Sequence, residues 1–294
     1  MDSAMAEGPG ATGGRRCLLV LGMHRSGTSA LARGLAVLGA SLGDELLPAL
    51  PCNPRGFFED RDIYAFNKRL LAALGLTWAS AAPLPPQRLL ELAQGEAGEA
   101  ALGLLRAKTE GRELPAFKAP RLSRLMPFWR PLLGAAGLAP SCVLALRHPD
   151  AVAASLEQRD GMEPEAAHAL WLRHTLDALD GSRALSRVLV AYERLLAAPG
   201  RELARVGHAL GLEADRDALA VFTHDFLDAG LCHHGATGDA KARGPFSRLA
   251  LRLHAGLEPL AMAAPEALEA GLGEGRLGRL RQECAAALAV GGLS

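Results

Sequence analysis

The sequence predicts an α/β fold of three layers: a mostly parallel central sheet of four or five strands with helices on both faces. Three observations predict it. Short apolar runs recur along the chain, and each is followed by a stretch with helical spacing, the alternation that a parallel sheet requires. The first run ends in a glycine-spaced turn that opens directly into a helical pattern. Of the 294 residues, 49% are hydrophobic but only 4% aromatic, a Leu/Ala-rich balance that favours helices packed on a small sheet.

Residues 1–14 are small and Gly-rich and are expected to form a disordered tail. Residues 15–294 are then expected to form one domain. Cys17–Gly22 reads as a buried first strand. Residues 28–38 set Ala30, Leu31, Gly34, Leu35 and Leu38 on one helical face. Asn53-Pro54-Arg55-Gly56 is a turn, and 60–75 a helix with Ile63, Phe66, Leu70, Leu71 and Leu74 as its apolar stripe. Ser80–Pro86 is a loop, 87–108 an amphipathic helix, and Leu114–Lys118 a second short strand. Residues 122–134 have helical spacing interrupted by Pro127 and Pro131. Ser141–Leu146 is a third strand, followed by a turn and a helix over 149–158. Residues 164–182, opened by Glu163-Pro164-Glu165, carry the strongest helical pattern. Val188–Ala191 is a fourth strand and 199–211 a further helix. From about 212 onward the pattern is helical, broken by a Gly-rich loop over 230–244. Its Leu/Ala stripe alternates with charges, as a cover for the core does and a membrane face does not.

Composition excludes several classes. A formal net charge of zero argues against nucleic acid as a partner. No run approaches the roughly 20 apolar residues of a membrane span. The apolar run after Arg15-Arg16 is too short for a signal peptide and is broken by His24-Arg25, so a cytoplasmic location is expected. The five cysteines include no C-x-x-C pair, which suggests neither a disulfide framework nor a zinc knuckle. Cys17 and Cys142 read as buried thiols. Cys232-His233-His234 has no second pair at ligand spacing, so no metal is expected. His168 and His174 fall on the long helix and read as structural.

Three constellations carry chemistry. In the first, Gly22 and Gly27 keep the spacing of a phosphate-binding G-x-x-x-x-G-K-[ST] loop, and Ser29 fills its last position. Thr28 stands where the lysine belongs, and Arg25 sits inside the loop. Backbone amides and a helix N-terminus still suit a phosphate, but the cation that grips a γ-phosphate is missing, which argues against a nucleotide kinase or NTPase. In the second, Arg147 ends the third strand, where open α/β sheets bind ligands, and Ser155 and Arg159 follow on the next helix. Alternatively, Arg147 caps the strand and Ser155 only packs. In the third, Tyr192 stands at the carboxyl end of the fourth strand, opening Tyr192-Glu193-Arg194-Leu195, placed to stack near a base or to join the core.

In order, spacing and strand context, residues 17–211 resemble the PAPS-dependent sulfotransferase family, a P-loop-like fold. The resemblance is nearest to bacterial-type members, which share the run Asn53-Pro54-Arg55-Gly56-Phe57-Phe58-Glu59. Residues 212–294 resemble the family loosely. The resemblance implies transfer of a sulfuryl group from 3′-phosphoadenosine 5′-phosphosulfate to a hydroxyl acceptor, a small molecule or glycan. It implies that Arg25, Ser26, Gly27, Thr28 and Ser29 hold the 5′-phosphosulfate, that Arg147 and Ser155 hold the 3′-phosphate, and that Tyr192 belongs to the nucleotide site. Arg25 is then the cation facing the leaving phosphate, and Lys118 stands beside the transferring group. Metal is not required. The segment Phe117-Lys118-Ala119-Pro120-Arg121 departs from the family: related proteins often carry Asp where Ala119 stands, and others a base histidine where Pro120 stands.

That departure leaves the general base open. Glu59 is the choice, as a buried carboxylate of raised pKa; it is equally a helix-start charge that complements the dipole. Asp60 and Asp62 are fallbacks that read as helix-start charges, and His24 assists or shapes the loop. The loop over 230–244 either closes over the nucleotide, with Lys241 or Arg243 near the 3′-phosphate, or is plainly exposed. A non-catalytic nucleotide-binding module of the same fold is the alternative to an enzyme.

Overall fold

Four strands, β1 (Arg15–Leu21), β2 (Ala116–Lys118), β3 (Leu138–Leu146) and β4 (Ser186–Ala191), form one parallel sheet in the order β2-β1-β3-β4. This is a computed structural model, and it describes residues 14–227, 244–272 and 275–290. The expected tail therefore lies outside the described residues, apart from Gly14.

Alternation along β1 divides the core. Leu19 and Leu21 face one apolar cluster, and Leu18 and Val20 face the other. The second cluster is closed by α1 (Thr28–Val37), α9 (Pro199–Leu210) and a π-helical turn, Phe222–Phe226, through Leu31, Leu35, Leu203, Val206 and Phe222. The first is covered by α2 (Arg61–Ala73), α5 (Leu122–Ala135), α6 (Pro149–Asp160) and α7 (Pro164–Gly181). The C-terminal helices α11 (Pro245–Leu257), α12 (Pro265–Gly271) and α13 (Arg276–Val290) add Leu253, Leu268 and Cys284 to that cluster. Glu165 of α7 fixes α11 by accepting from the amides of Phe246 (3.0 Å) and Ser247 (3.1 Å), a helix cap supplied by another helix.

Two elements differ from the sequence expectation. Residues 87–108 form two helices, α3 (Pro86–Gln94) and α4 (Glu96–Thr109), because Gly95 is extended and the chain folds back sharply. A Cβ on Gly98 would fall 1.8 Å from the Ala93 carbonyl oxygen, so the corner needs glycine there. Conversely, α5 runs through Pro127 and Pro131. Each proline removes a helix hydrogen bond at a cost of about 3 kcal/mol; the burial of Leu125, Met126, Phe128 and Trp129 beside them offsets it. Two short α-helices, α8 (Tyr192–Ala197), which begins at the residue after β4, and α10 (Arg216–Val221), and a 3-10 turn, Pro259–Ala261, complete the described chain.

The strand order positions the site. From β1 the chain crosses to β2 on one side and later returns to β3 on the other, so the order reverses between β1 and β3. Open sheets hold ligands outside the carboxyl ends of such a pair.

Candidate functional site

The turn after β1 is built tightly at that switch point. Gly22 has φ 145°, and a Cβ there would lie 2.9 Å from the Ala145 carbonyl oxygen of β3. Ser123 of α5 fastens the same residue: the Gly22 amide donates to Ser123 Oγ at 2.8 Å, and that hydroxyl reaches the Gly22 carbonyl at 3.2 Å. Gly27 has φ 82°, and a Cβ there would stand 2.1 Å from the Tyr192 ring. Only glycine lets the turn and the tyrosine approach so closely. Helix α1 then starts with no side-chain cap and no acid in its first turn, leaving its amides and positive end open to an anion. Ser26 and Thr28 are buried, and Ser29 lines the cavity.

The second and third constellations close on this turn. Arg25 Nε donates to Ser155 Oγ at 2.8 Å and Arg25 Nη1 to the Cys52 carbonyl at 2.9 Å. Arg147 Nη1 donates to the Arg25 carbonyl at 2.8 Å, and its guanidinium lies 4.9 Å from the Tyr192 ring centroid. Trp171 Nε1 holds the Arg147 carbonyl at 3.0 Å, and Glu193 accepts from the His148 amide at 3.1 Å. Sequence spacing put Arg25 and the Arg147–Ser155 pair in separate pockets; in the fold Ser155 touches Arg25, and all three line one cavity of about 510 Å³.

That cavity is electropositive. Arg25, Arg55, Lys118, Arg147 and Arg159 line it, and among the described lining residues Glu59 is the one carboxylate. Burial first, then the neighbouring Arg159 and Arg147, holds the Arg25 guanidinium below its ordinary pKa. Crowded like charges in a half-buried cleft suit a ligand with several negative charges.

Lys118 supplies a cation that the loop lacks. It pairs in register with Val20, so β2 delivers it beside the end of β1. Its Nζ donates to Glu59 Oε1 and the Phe57 carbonyl, both at 2.9 Å, and to Ser29 Oγ at 3.4 Å. The Lys118 and Glu59 side chains are 3% and 4% exposed. Burial lowers the Lys118 pKa, with Glu59 acting against it. Glu59 Oε2 is enclosed without a hydrogen-bond partner among the described residues, and Arg121 Nη1 stands 4.0 Å away. Glu59 is not the cap of α2. Asp60 is, accepting from the amides of Asp62 (3.0 Å) and Ile63 (3.1 Å), while Lys108 neutralises Asp60 and Asp62. Ala119 is buried, and Pro120 lines the cavity.

Other contributors carried weaker sequence signals. Asn53, legible only as part of a turn, donates to Ser29 Oγ (3.2 Å) and to the Gly56 carbonyl (2.7 Å), which fixes the wall opposite the loop. Trp78 packs against His24 with ring centroids 4.7 Å apart and carries the Arg159 guanidinium at 5.1 Å. Buried Arg124 and Arg173 hold the carbonyls of Ser80, Ala81 and Ala82 and share Asp177, pinning the segment that presents Trp78. No sequence pattern announces that clamp.

His168 and His174 are buried, the former between Asp150 and the Pro164 carbonyl. Cys17 and Cys142 are buried, each pushed up to about 12 chiefly by burial. Cys232, His233, His234, Lys241 and Arg243 lie outside the described residues. Among those described, no group of His, Cys, Asp and Glu is arranged to hold a metal, and no helix is long and apolar enough to cross a membrane.

No family model matches the chain, and no curated protein matches it. Among solved structures it is similar to a sulfotransferase domain from the Synechococcus PCC 7002 olefin synthase, at 20% identity over 82% of this chain and 94% of that one, with a TM-score of 0.47. It is also similar to a sulfotransferase domain from the curacin biosynthetic pathway, at 16% identity over 92% and 96%, with a TM-score of 0.42.

Proposed function

We propose that this chain transfers a sulfuryl group from 3′-phosphoadenosine 5′-phosphosulfate to a hydroxyl of a small molecule or glycan, as a single cytoplasmic domain spanning residues 15–294. The observation that carries the proposal is the linkage of Arg25, Ser155 and Arg147 around the open N-terminus of α1. The donor set fits such a molecule: amides, hydroxyls and guanidiniums, all of which donate to anionic oxygens. Gly27 lets the Tyr192 ring pack directly on the turn, which sets that ring against the wall of the cavity.

When bound, the donor supplies the sulfuryl group and a phosphate to leave. Arg147 and Ser155 grip the 3′-phosphate, and Tyr192, under Arg147, belongs to the nucleoside wall. Arg25 and the amides of residues 26–29 grip the 5′ end and stabilise charge as it develops on the leaving oxygen. Because Arg25 remains protonated, it acts by electrostatics and not by giving up its proton. Glu59, which lines the cavity, takes the proton of the attacking hydroxyl. Lys118, bonded to Glu59 and Ser29, keeps base and loop in register, so the chain contributes positioning and charge.

A phosphate-hydrolysing site is disfavoured because Thr28, at the lysine position, is buried. A second reading, a nucleotide-binding module without turnover, is favoured by the internal pairing of Lys118 with Glu59 and by Ala119 and Pro120 in place of polar groups. A screen with sulfur-labelled donor over hydroxylated metabolites and glycans separates the two. Transfer of label supports the enzyme; tight binding of adenosine 3′,5′-bisphosphate with no transfer to any acceptor supports the module.

A further inference from the structure

Two cations of the cavity are held by carbonyls of one loop. Arg25 Nη1 donates to the Cys52 carbonyl and Lys118 Nζ to the Phe57 carbonyl, each at 2.9 Å. Asn53 lies between these carbonyls in the chain, half-buried on the cavity wall. Its main chain closes the loop. The Asn53 amide donates to the Leu50 carbonyl at 2.7 Å, and the Asn53 carbonyl accepts from the amides of Leu50 (3.3 Å) and Gly56 (3.1 Å).

Its side chain ties the loop to α1. Nδ2 lies 2.7 Å from the Gly56 carbonyl and 3.2 Å from Ser29 Oγ. A carbonyl only accepts, so the nitrogen of the Asn53 amide, not its oxygen, faces these partners. Ser29 Oγ accepts from Asn53 and, at 3.4 Å, from Lys118, which leaves its one hydrogen for the Phe57 carbonyl at 3.2 Å. Both hydrogens on Asn53 Nδ2 and the hydrogen on Ser29 Oγ are thus spent inside the protein, and a donor molecule at this end of α1 meets backbone amides instead. Beyond Phe57 the chain passes Phe58 at φ 55°, a left-handed conformation uncommon for a bulky side chain. On either side of that residue, the Phe57 carbonyl and Glu59 Oε1 meet the same ammonium, both at 2.9 Å.

We infer that Asn53 is a positioning residue: through Ser29 and Gly56 its side chain sets the spacing between Arg25, on the leaving-group side, and the Lys118–Glu59 pair, on the side of the attacking hydroxyl. The inference rests on the sulfuryl-transfer reading for the roles of those two ends. In-line transfer depends on the distance between attacking and leaving oxygens, and a misplacement of about 1 Å costs on the order of a hundredfold in rate. Because one loop restrains both ends, fixing the loop fixes that distance. Asn53 supplies the side-chain bonds that join the loop to itself and to α1.

Asn53→Ala removes both bonds. In transfer from labelled donor by the full chain, its kcat should fall by about tenfold to a hundredfold. The dissociation constant for adenosine 3′,5′-bisphosphate should change by no more than about threefold, since Arg147, Ser155 and the amides of residues 26–29 remain. Ser29→Ala should show the same split, and Ser29→Thr, which keeps the hydroxyl, should recover most of the loss. The double variant, Asn53→Ala with Ser29→Ala, should lose no more than about twofold beyond either single change, because both act through one contact. Unchanged kcat in Asn53→Ala overturns the inference, as does a parallel loss of kcat and bisphosphate affinity, which would make Asn53 a support of the donor pocket. Amide hydrogen exchange over residues 50–57 gives a readout independent of turnover: it should quicken by about tenfold or more in Asn53→Ala and Ser29→Ala. Unchanged protection in both overturns the inference. A wild-type chain that transfers no label to any acceptor sinks the sulfuryl-transfer reading instead, and the exchange comparison still decides whether Asn53 holds the loop.

Discussion

Arg25 and Ser155 stand 130 residues apart in the chain and 2.8 Å apart in space, guanidinium nitrogen to hydroxyl oxygen. One residue lies in the turn after β1 and the other on α6, after β3. Their contact joins two sequence motifs into one wall. Arg147, bonded to the Arg25 carbonyl, completes it. The backbone that carries Arg25 is held at φ 65°, a left-handed conformation uncommon for a side chain of this size.

Because the two motifs share a contact, their mutational effects should not add. Arg25→Ala and Ser155→Ala should each weaken adenosine 3′,5′-bisphosphate binding, and the double variant should lose less than the sum by about 0.5–3 kcal/mol. Titration calorimetry on the four proteins measures this coupling; strict additivity would mean that the contact has no part in ligand binding.

If Glu59 is the base proposed above, Glu59→Gln should abolish most turnover while leaving bisphosphate affinity within about twofold. It also leaves Lys118 buried without its counter-ion. Removing one member of a buried pair costs about 3–5 kcal/mol, so urea unfolding should show a large loss, and Glu59→Gln with Lys118→Met should recover part of it. Full turnover in Glu59→Gln removes it as the base.

Acid should destabilise this fold through its buried histidines. His174 titrates at about 3 in the fold, against an ordinary value of 6.5. Between those values the unfolded chain binds a proton that the native state refuses, so stability falls as pH drops below 6.5, by up to about 1.4 kcal/mol per pH unit for each such group. Burial lowers His24 in the same direction. Chemical denaturation at pH 7.5 and 5.5 should show the loss, and His174→Gln should reduce it; an identical slope in that variant contradicts the assignment.

Ligand choice should separate this site from a nucleotide-hydrolysing one. Adenosine 3′,5′-bisphosphate at a hundred times its dissociation constant should add about 2.7 kcal/mol of stability. ATP with magnesium should add much less, since Thr28 occupies the lysine position. Thermal unfolding with each ligand is the check, and a larger shift with ATP-magnesium would reverse the conclusion.

Much of the fold was legible because its strands are largely buried: the apolar runs at 17–22, 141–146 and 188–191 mark strands of a sheet covered on both faces. The helix at Pro164–Gly181 was legible from its Pro and Glu start as well as its spacing. The break at Gly95 was not, since glycine within a helical pattern is tolerated as often as it interrupts. The continuity of α5 through two prolines depends on burial, which local sequence does not report. Arg25, Arg147 and Ser155 were legible as candidates because motif spacing survives in one dimension, and the fold brings all three to one cavity. Their direct contact was not, nor was the Lys118–Glu59 pair, because both require knowing that β2 and β3 flank β1. The Arg124–Asp177–Arg173 clamp and the His24–His174 pair join distant segments and have no local pattern at all.

The central claim is that Arg25 and Arg147 clamp opposite ends of one adenosine carrier. Calorimetric comparison of adenosine 3′,5′-bisphosphate with adenosine 5′-monophosphate, in wild type and in Arg147→Ala, tests it most directly. The wild type should favour the bisphosphate by about tenfold or more, the worth of a charge-assisted contact, and Arg147→Ala should erase that preference while still binding the monophosphate. Equal affinities in the wild type, or a preference that survives loss of Arg147, would contradict it.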